Sequence, residues 1–499
     1  MVAFNAIPGN LKVPFFYTEI NSGGSPFEGE PRLLLIGQKL SGGTAPANVP
    51  VLVQSEQEAD SFAGAGSMLA AMFRVARKNA PFQPIWFLPL ADPSGDAAVG
   101  TVTITAPGVT GVAIIHVAGT RIAFQVNAAD NATTVAAAMV AAINAAKIPV
   151  VASNSSAVVT LTARHVGALG NILDTWVSNV EPNVLTSANA EVVAIGAGTA
   201  GTGTPALATA LANLGDDPFD FIALPYADST SLNSVRDFLD ATSGRWSPVK
   251  QLYGHAFTAN FGSLGTNVTL GNGRNDPHVS IMASQASPSP VWEWATAFAA
   301  QAVAHLGDAP ELSRPLQTLP LAGIQPPRDR SKWWSIADRQ ALYSDGLAGY
   351  TVSVDGIVRI DRARTTYQQT AAGAADETFG DVETMAQITF FTRYLKTAVL
   401  NRHARQALAD ENPRGLQEIS TPRDIRNTLI HAYNDLVALG VSENPSLFAE
   451  FVVVERDPNN ASRVNAFVPV DVVNQLRIVA ANVTAFLQYQ TPSGEPAVA

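Results

Sequence analysis

The sequence predicts a mixed α/β protein with an α+β insertion in its body and extended arms at both ends. Three observations predict it. Short apolar runs alternate with helical periodicity over residues 31–95 and again from 190. The 96–185 stretch between them is β-rich and sparsely charged, with one helix. The N-terminal end carries a strand-like segment with no hairpin partner beside it, and the C-terminal end closes on a run of strands. At 499 residues, 47% hydrophobic and 15% charged, the chain can bury several cores and should divide into two to four domains.

Residues 1–30 read as an N-terminal arm. Leu11 to Ile20 suit an extended strand, with Leu11, Val13, Phe15 and Tyr17 at alternate positions. Pro14 removes a donor and confines the strand to an edge, and NSGGSP behind it is a flexible linker. Such a strand pairs either with an edge of its own body or with the sheet edge of another copy.

Residues 31–95 form the first part of the body: the strand RLLLIGQ, a helix from Ser55 to Lys78 interrupted by small residues at 62–67, and the buried run PIWFLPL. Residues 96–185 form the insertion. TVTITA, VAIIHVAG, TRIAFQVN and AVVTLTAR are its strands. One helix, about Thr133 to Lys147, lines Val135, Met139, Val140 and Ile143 on one face, with Pro149 past its end.

Residues 186–375 form the second part of the body. EVVAI is a strand, and Pro205 to Leu214 a helix with Thr204 as N-cap. FDFIALPYAD, a helix over Ser229 to Ser243, VKQLYGHAF, HVSIMA and a helix over Val291 to His305 follow. Residues 376–489 form a C-terminal domain with helices over 383–409 and 422–440, then strands near 448–456, 463–469 and 474–489. The last of these carries Leu476, Ile478, Val483 and Phe486 as a C-terminal arm, and 490–499 are a tail.

The chemistry of known sites is mostly missing. The formal charge of −11 argues against a nucleic-acid surface, which needs a dense basic face. With no cysteine, disulfides, thiolate nucleophiles and Cys-ligated metals are excluded. No stretch reaches the ~20 apolar residues that span a bilayer, and the N-terminus lacks the pattern of a signal peptide, so a soluble cytoplasmic origin is expected. No Lys follows a Gly, so a GxxxxGK phosphate loop is impossible, and neither HExxH nor GxSxG occurs. No metal or cofactor is expected.

The best enzyme-like signal is Gly196-Ala-Gly198-Thr-Ala-Gly201, after a strand and before a helix, the setting of a dinucleotide fingerprint. The loop is long, the helix starts beyond the third glycine, and Asp228 lies far along for a ribose carboxylate. A permissive loop is the favoured reading, and a dinucleotide-binding α/β enzyme the alternative.

Two basic clusters stand out. Arg359, Arg362 and Arg364 sit in IVRIDRARTTYQQT, and Arg393, Lys396, Arg402 and Arg405 in the 383–409 helix. Each is either a solvated face with internal ion pairs or an interface for an acidic protein partner. Arg outnumbers Lys by 24 to 7, which fits interfaces and equally fits GC-rich coding.

Several stretches in order along nearly the whole chain resemble the Mu-type contractile phage tail sheath proteins: FNAIPGNLKVPFFYTEINS, RLLLIGQ, FGAGSMLAAM, RWSPVKQLYGHAFTA, RNDPHVSIM, RPLQTLPLAGIQPP, DGIVRIDRARTTYQ and SRVNAFVPVDVVNQLRIVAANVTAFL. One departure is Ala363-Arg364, where a single apolar residue before Thr-Thr-Tyr is expected.

The resemblance implies a structural, non-catalytic subunit with a sheath core and an outward-facing insertion. Terminal arms would donate strands to neighbouring copies, giving a helical homo-oligomer of six-fold rings. Tail tube, baseplate and tail terminator proteins are the implied partners, with assembly in the host cytoplasm and residence in the virion. The basic 383–409 helix is expected to face the tube. A tailocin-like injection machine would use the same kind of subunit.

Overall fold

A computed structural model describes residues 31–179, 182–309 and 311–485. The body begins with β1 (Leu33–Gln38), β2 (Val51–Val53), α1 (Glu56–Ala63), α2 (Met68–Asn79) and β3 (Ile85–Leu90). The break between the helices falls where the small residues predicted it. Ser55 and Ser67 each cap a helix by accepting from a backbone N–H three residues on.

The insertion follows: β4 (Ala97–Ile104), β5 (Gly111–Val117), β6 (Thr120–Val126), α3 (Ala132–Ala145), β7 (Val150–Ser155), β8 (Val158–Val166), β9 (Thr175–Trp176) and β10 (Ala190–Val193). The alternating burial of β4 and β8 marks sheets covered on one face. Asn131 caps α3, whose Val135, Met139 and Ile143 are buried. β10, expected to restart the main alternation, is instead antiparallel to β4 in the order β10-β4-β8-β7. Residues 95–100 and 196–203 lie against each other as well.

The body resumes with α4 (Ala208–Ala212), β11 (Phe221–Ala223), α5 (Ser229–Leu239), β12 (His255–Phe261), α6 (Leu264–Asn272), β13 (Val279–Ser284) and α7 (Val291–His305). The main sheet has the order β13-β12-β11-β1-β3-β2, parallel except at β2. Its five parallel strands therefore run 2-1-3-4-5 in chain order. They are buried throughout β1 and β13, as a sheet covered on both faces requires. Phe257 on β12 meets Phe298 on α7 edge to face at 4.9 Å.

Two expectations for this region fail. The helix predicted from Pro205 begins at Ala208, and Thr204 does not cap it. VKQLYG is not strand. Gln251, Tyr253 and Gly254 take positive φ, because the chain wraps Arg245, which is 1% exposed and donates to the carbonyls of Tyr253, Gly215 and Asp217.

The remainder comprises α8 (Ile336–Ser344), β14 (Gly349–Val352), β15 (Val358–Arg362), α9 (Val382–His403), β16 (Ala407–Leu408), β17 (Ile419–Ser420), α10 (Pro422–Ala438), α11 (Pro445–Phe451), β18 (Val453–Arg456) and β19 (Val464–Phe467). α9 stops six residues short of its predicted end. A capping box of Thr421 and Asp424, with Pro422 in the first turn, starts α10. Residues 448–451 belong to a helix rather than a strand, and 474–485 form neither a helix nor a ladder.

Candidate assembly interface

A doubly wound sheet binds ligands beyond the strand ends where its order reverses, here between β1 and β11. Gln38, Tyr226, Asp228 and Asn260 line that crevice, and Gly167–Leu169 and Gly203–Pro205 wall it in. The glycine loop reaches it but is not a phosphate cradle. The N–H groups of Gly196, Gly198 and Thr199 donate to the Val99 carbonyl, and that of Gly201 to Asn171 Oδ1 at 2.6 Å. A Cβ at Gly201 would stand 2.4 Å from the Gly167 carbonyl. These glycines exist for close backbone packing. Asp228 is equally committed, capping α5 through the Ser231 N–H. The geometry removes the dinucleotide reading.

Beside the crevice, His165 joins insertion to body. Its Nδ1 lies 2.8 Å from Asp92, and its Nε2 accepts from the Met68 N–H at the start of α2. Gln38 donates to the same Asp92 oxygen. Burial alone pushes the Asp92 carboxyl up, yet the His165 ring and the Gln38 amide bring it below its ordinary value.

The first basic cluster is an internal network. Arg362 forks onto Asp381 with both contacts at 3.0 Å, and Arg359 pairs with Asp355. Arg364, Thr365 and Thr366 are 2%, 0% and 0% exposed, and the Thr366 hydroxyl donates to the Asp276 carbonyl. This motif packs the body; it is not a surface for an acidic partner. Ala363, the residue that departs from the expected pattern, is fully buried beside it.

The second cluster divides. Arg393 is half-buried, pairs with Asp220 at 2.5 Å and lies 5.1 Å over the Tyr253 ring. Lys396 and Arg402 are exposed on α9, and Arg405 is exposed just past its end. The four therefore do not form one basic face.

The C-terminal arm leaves the body in two stages. Residues 471–477 are tied down: Val473 N–H donates to Val441 O, and Gln387 on α9 donates to Val473 O at 2.9 Å. Gln475 donates to Gln387, and Arg477 pairs with Glu383 at 3.0 Å and Asp381 at 3.5 Å. Glu383 is fully buried and also accepts from the Leu316 N–H. Burial pushes its carboxyl up, against the pull of Arg477. Leu476, between two tied residues, already points outward at 74% exposed, and beyond the tie Ile478, Val479 and Val483 stand clear at 85%, 78% and 87%. Leu11, Val13, Phe15, Tyr17 and Phe486 lie outside the described residues.

β18 and β19 form a separate two-stranded sheet with no further strand on either edge among the described residues. Val453, Phe467, Val470 and Phe451 are half exposed around it. Two strands are marginal alone, and unpaired edges invite addition. The sequence reading missed Glu383, Gln387, Gln475 and Arg477. The signal was there, as a Glu-x3-Gln row on a helix and a Val-x-Gln-x-Arg alternation.

Comparison with known proteins bears on this geometry. The phage tail sheath protein central domain matches residues 200–366, and the phage tail sheath C-terminal domain residues 374–486. A Mu-like prophage tail sheath protein of Haemophilus influenzae is 32% identical over 96% of this chain and 98% of its own. This chain belongs to the phage tail sheath family. As a sheath subunit it is a structural protein, and the Mu-type resemblance of its motifs holds. The sheath tail protein of Desulfitobacterium hafniense shares the fold at a TM-score of 0.50 and 11% identity, over 92% of this chain and 97% of that one. A sheath tail protein of Listeria innocua, also 11% identical, gives 0.48 over 90% and 93%.

Proposed function

We propose that the subunit polymerises into a contractile sheath by strand exchange, its terminal arms completing the sheets of neighbouring copies. One observation carries this: an apolar ribbon clear of its own body occurs in the same chain as an unfinished two-stranded sheet. Strand addition uses backbone hydrogen bonds and so tolerates rotation of the bodies it links. A head-to-tail contact whose rotation does not close gives an open helix.

In this reading the N-terminal arm, residues 1–30, is the second donated strand. The helix surrounds a tail tube and ends on baseplate and terminator proteins, within a virion assembled in the host cytoplasm. Lys396, Arg402 and Arg405 face the tube. Arg393 drops out of that role because Asp220 holds it. The insertion faces outward, and the β10–β4 pairing supports extending it from 96–185 to about residue 203. Contraction needs no catalysis if the extended lattice is held kinetically and the contracted one buries more surface.

Negative-stain microscopy of purified protein tests this. Tubes or rings are expected, lost on deletion of residues 1–20. A strictly monomeric full-length protein across salt and concentration refutes it.

A further inference from the structure

Hydrogen bonds and an ion pair join α9 to the root of the C-terminal ribbon at Val473, Gln475 and Arg477. Residues i and i+4 of a helix are spaced about 6 Å apart, and residues i and i+2 of an extended chain about 6.6 Å. The two spacings nearly match, so two successive pairs form: Arg477 on Glu383 and Gln475 on Gln387. Burial alternates accordingly. Val473, Gln475 and Arg477 are half-buried, while Asn474, Leu476 and Ile478 are exposed.

We propose that this polar row is a register key, with Glu383 and Arg477 as positioning residues that fix where the donated ribbon leaves its own subunit. The positioning half rests on the strand-exchange reading above; the key itself does not.

A slip of one residue would set Leu476 against Glu383. A slip of two would set Val479 there, or leave Arg477 past the row. Each leaves a fully buried carboxylate without its counter-ion, which an apolar contact strip would not punish. The polar row also rejects the ribbon's own apolar side chains. Leu476, Ile478, Val479 and Val483 gain nothing by folding back on it, which keeps them available to another copy. The key thus does two things: it sets the reach of the ribbon, and it keeps that ribbon off its own body.

Trypsin tests the key on dispersed subunits, because cleavage after Arg477 requires its side chain to leave Glu383 and Asp381. Cleavage after Arg463, 64% exposed, is the internal control. Glu383→Gln and Gln475→Ala should each speed cleavage after Arg477 about tenfold, the worth of one hydrogen bond to a charged or buried group, with Arg463 unchanged. If Glu383→Gln disturbs the fold and raises both rates, Gln475→Ala, which changes no fully buried residue, decides the matter. Unchanged cleavage after Arg477 in both variants overturns the key. Microscopy of the variants' polymers tests the positioning half. A shifted or irregular axial repeat is expected, and the wild-type repeat alongside accelerated cleavage overturns it. Failure of the wild type to polymerise strikes strand exchange, and positioning with it, while the trypsin result still decides the key.

Discussion

Replacing His278 by phenylalanine should flatten the acid limb of the subunit's stability curve. His278 is 7% exposed, stacks on Trp246 at 4.1 Å and has no hydrogen-bond partner at Nδ1 among the described residues. Burial lowers its pKa from 6.5 to about 3, against a weaker upward pull from Asp240. A folded-state pKa below the unfolded value means that the unfolded chain binds the proton first. Stability from this group is complete above pH 6.5 and drains away as pH falls toward 3. At pH 5 the loss is about 2 kcal/mol, a large share of the 5–15 kcal/mol typical of a domain. Phenylalanine keeps the stack and removes the titration. Urea denaturation of dispersed subunits at pH 7.5 and 5.0 is the assay. The wild type should lose about 2 kcal/mol more than His278→Phe between the two. Parallel losses would refute the reasoning. His255 is likewise lowered to about 3, by burial first and by His278 second; its larger cause, burial, is the same in both proteins, so it contributes nearly the same slope to each.

Other outcomes follow from the same structure. Glu293, raised to about 8 by burial, has the opposite sign: the folded state holds its proton between pH 4.5 and 8, so Glu293→Gln should stabilise by about 4 kcal/mol at pH 7.5 and by about 1 kcal/mol at pH 5 in the same assay. Gly201→Ala should cost about 1–3 kcal/mol by urea denaturation, because its Cβ meets the Gly167 carbonyl, and thermal shift with NAD should be absent in both forms. His165→Ala should cost about 2 kcal/mol, as it uncaps the Met68 N–H and removes one of the partners of Asp92. Excising residues 96–203 should preserve polymers yet lower the melting temperature for the same reason; a folded excised protein that no longer polymerises would refute the peripheral role.

What was legible in the sequence was local. α7 was placed at its true bounds, because its length and its dense apolar composition lie within one window. α3 and the paired helices α1 and α2 were readable for the same reason. β7 was missed since VVASNS looks polar; only one of its faces is covered. β10 was read as a strand but given to the wrong sheet, because its partner β4 lies some ninety residues away and pairing is non-local. The basic cluster at 359–364 looked like a candidate surface for the same cause. Asp381, which neutralises Arg362, follows a turn that periodicity does not describe, and Arg477, which shares it, comes almost a hundred residues later. The family was legible in motif order along the chain, whereas the ionic tie at the arm's root required coordinates.

The account rests on ribbons that finish the sheets of other copies, and cryo-electron microscopy of the assembled polymer tests this most directly. It should find β18 and β19 flanked by strands from two neighbouring subunits, one of them carrying Ile478 and Val483. A polymer in which residues 478–485 lie on their own body, with the β18–β19 edges bare, would contradict it.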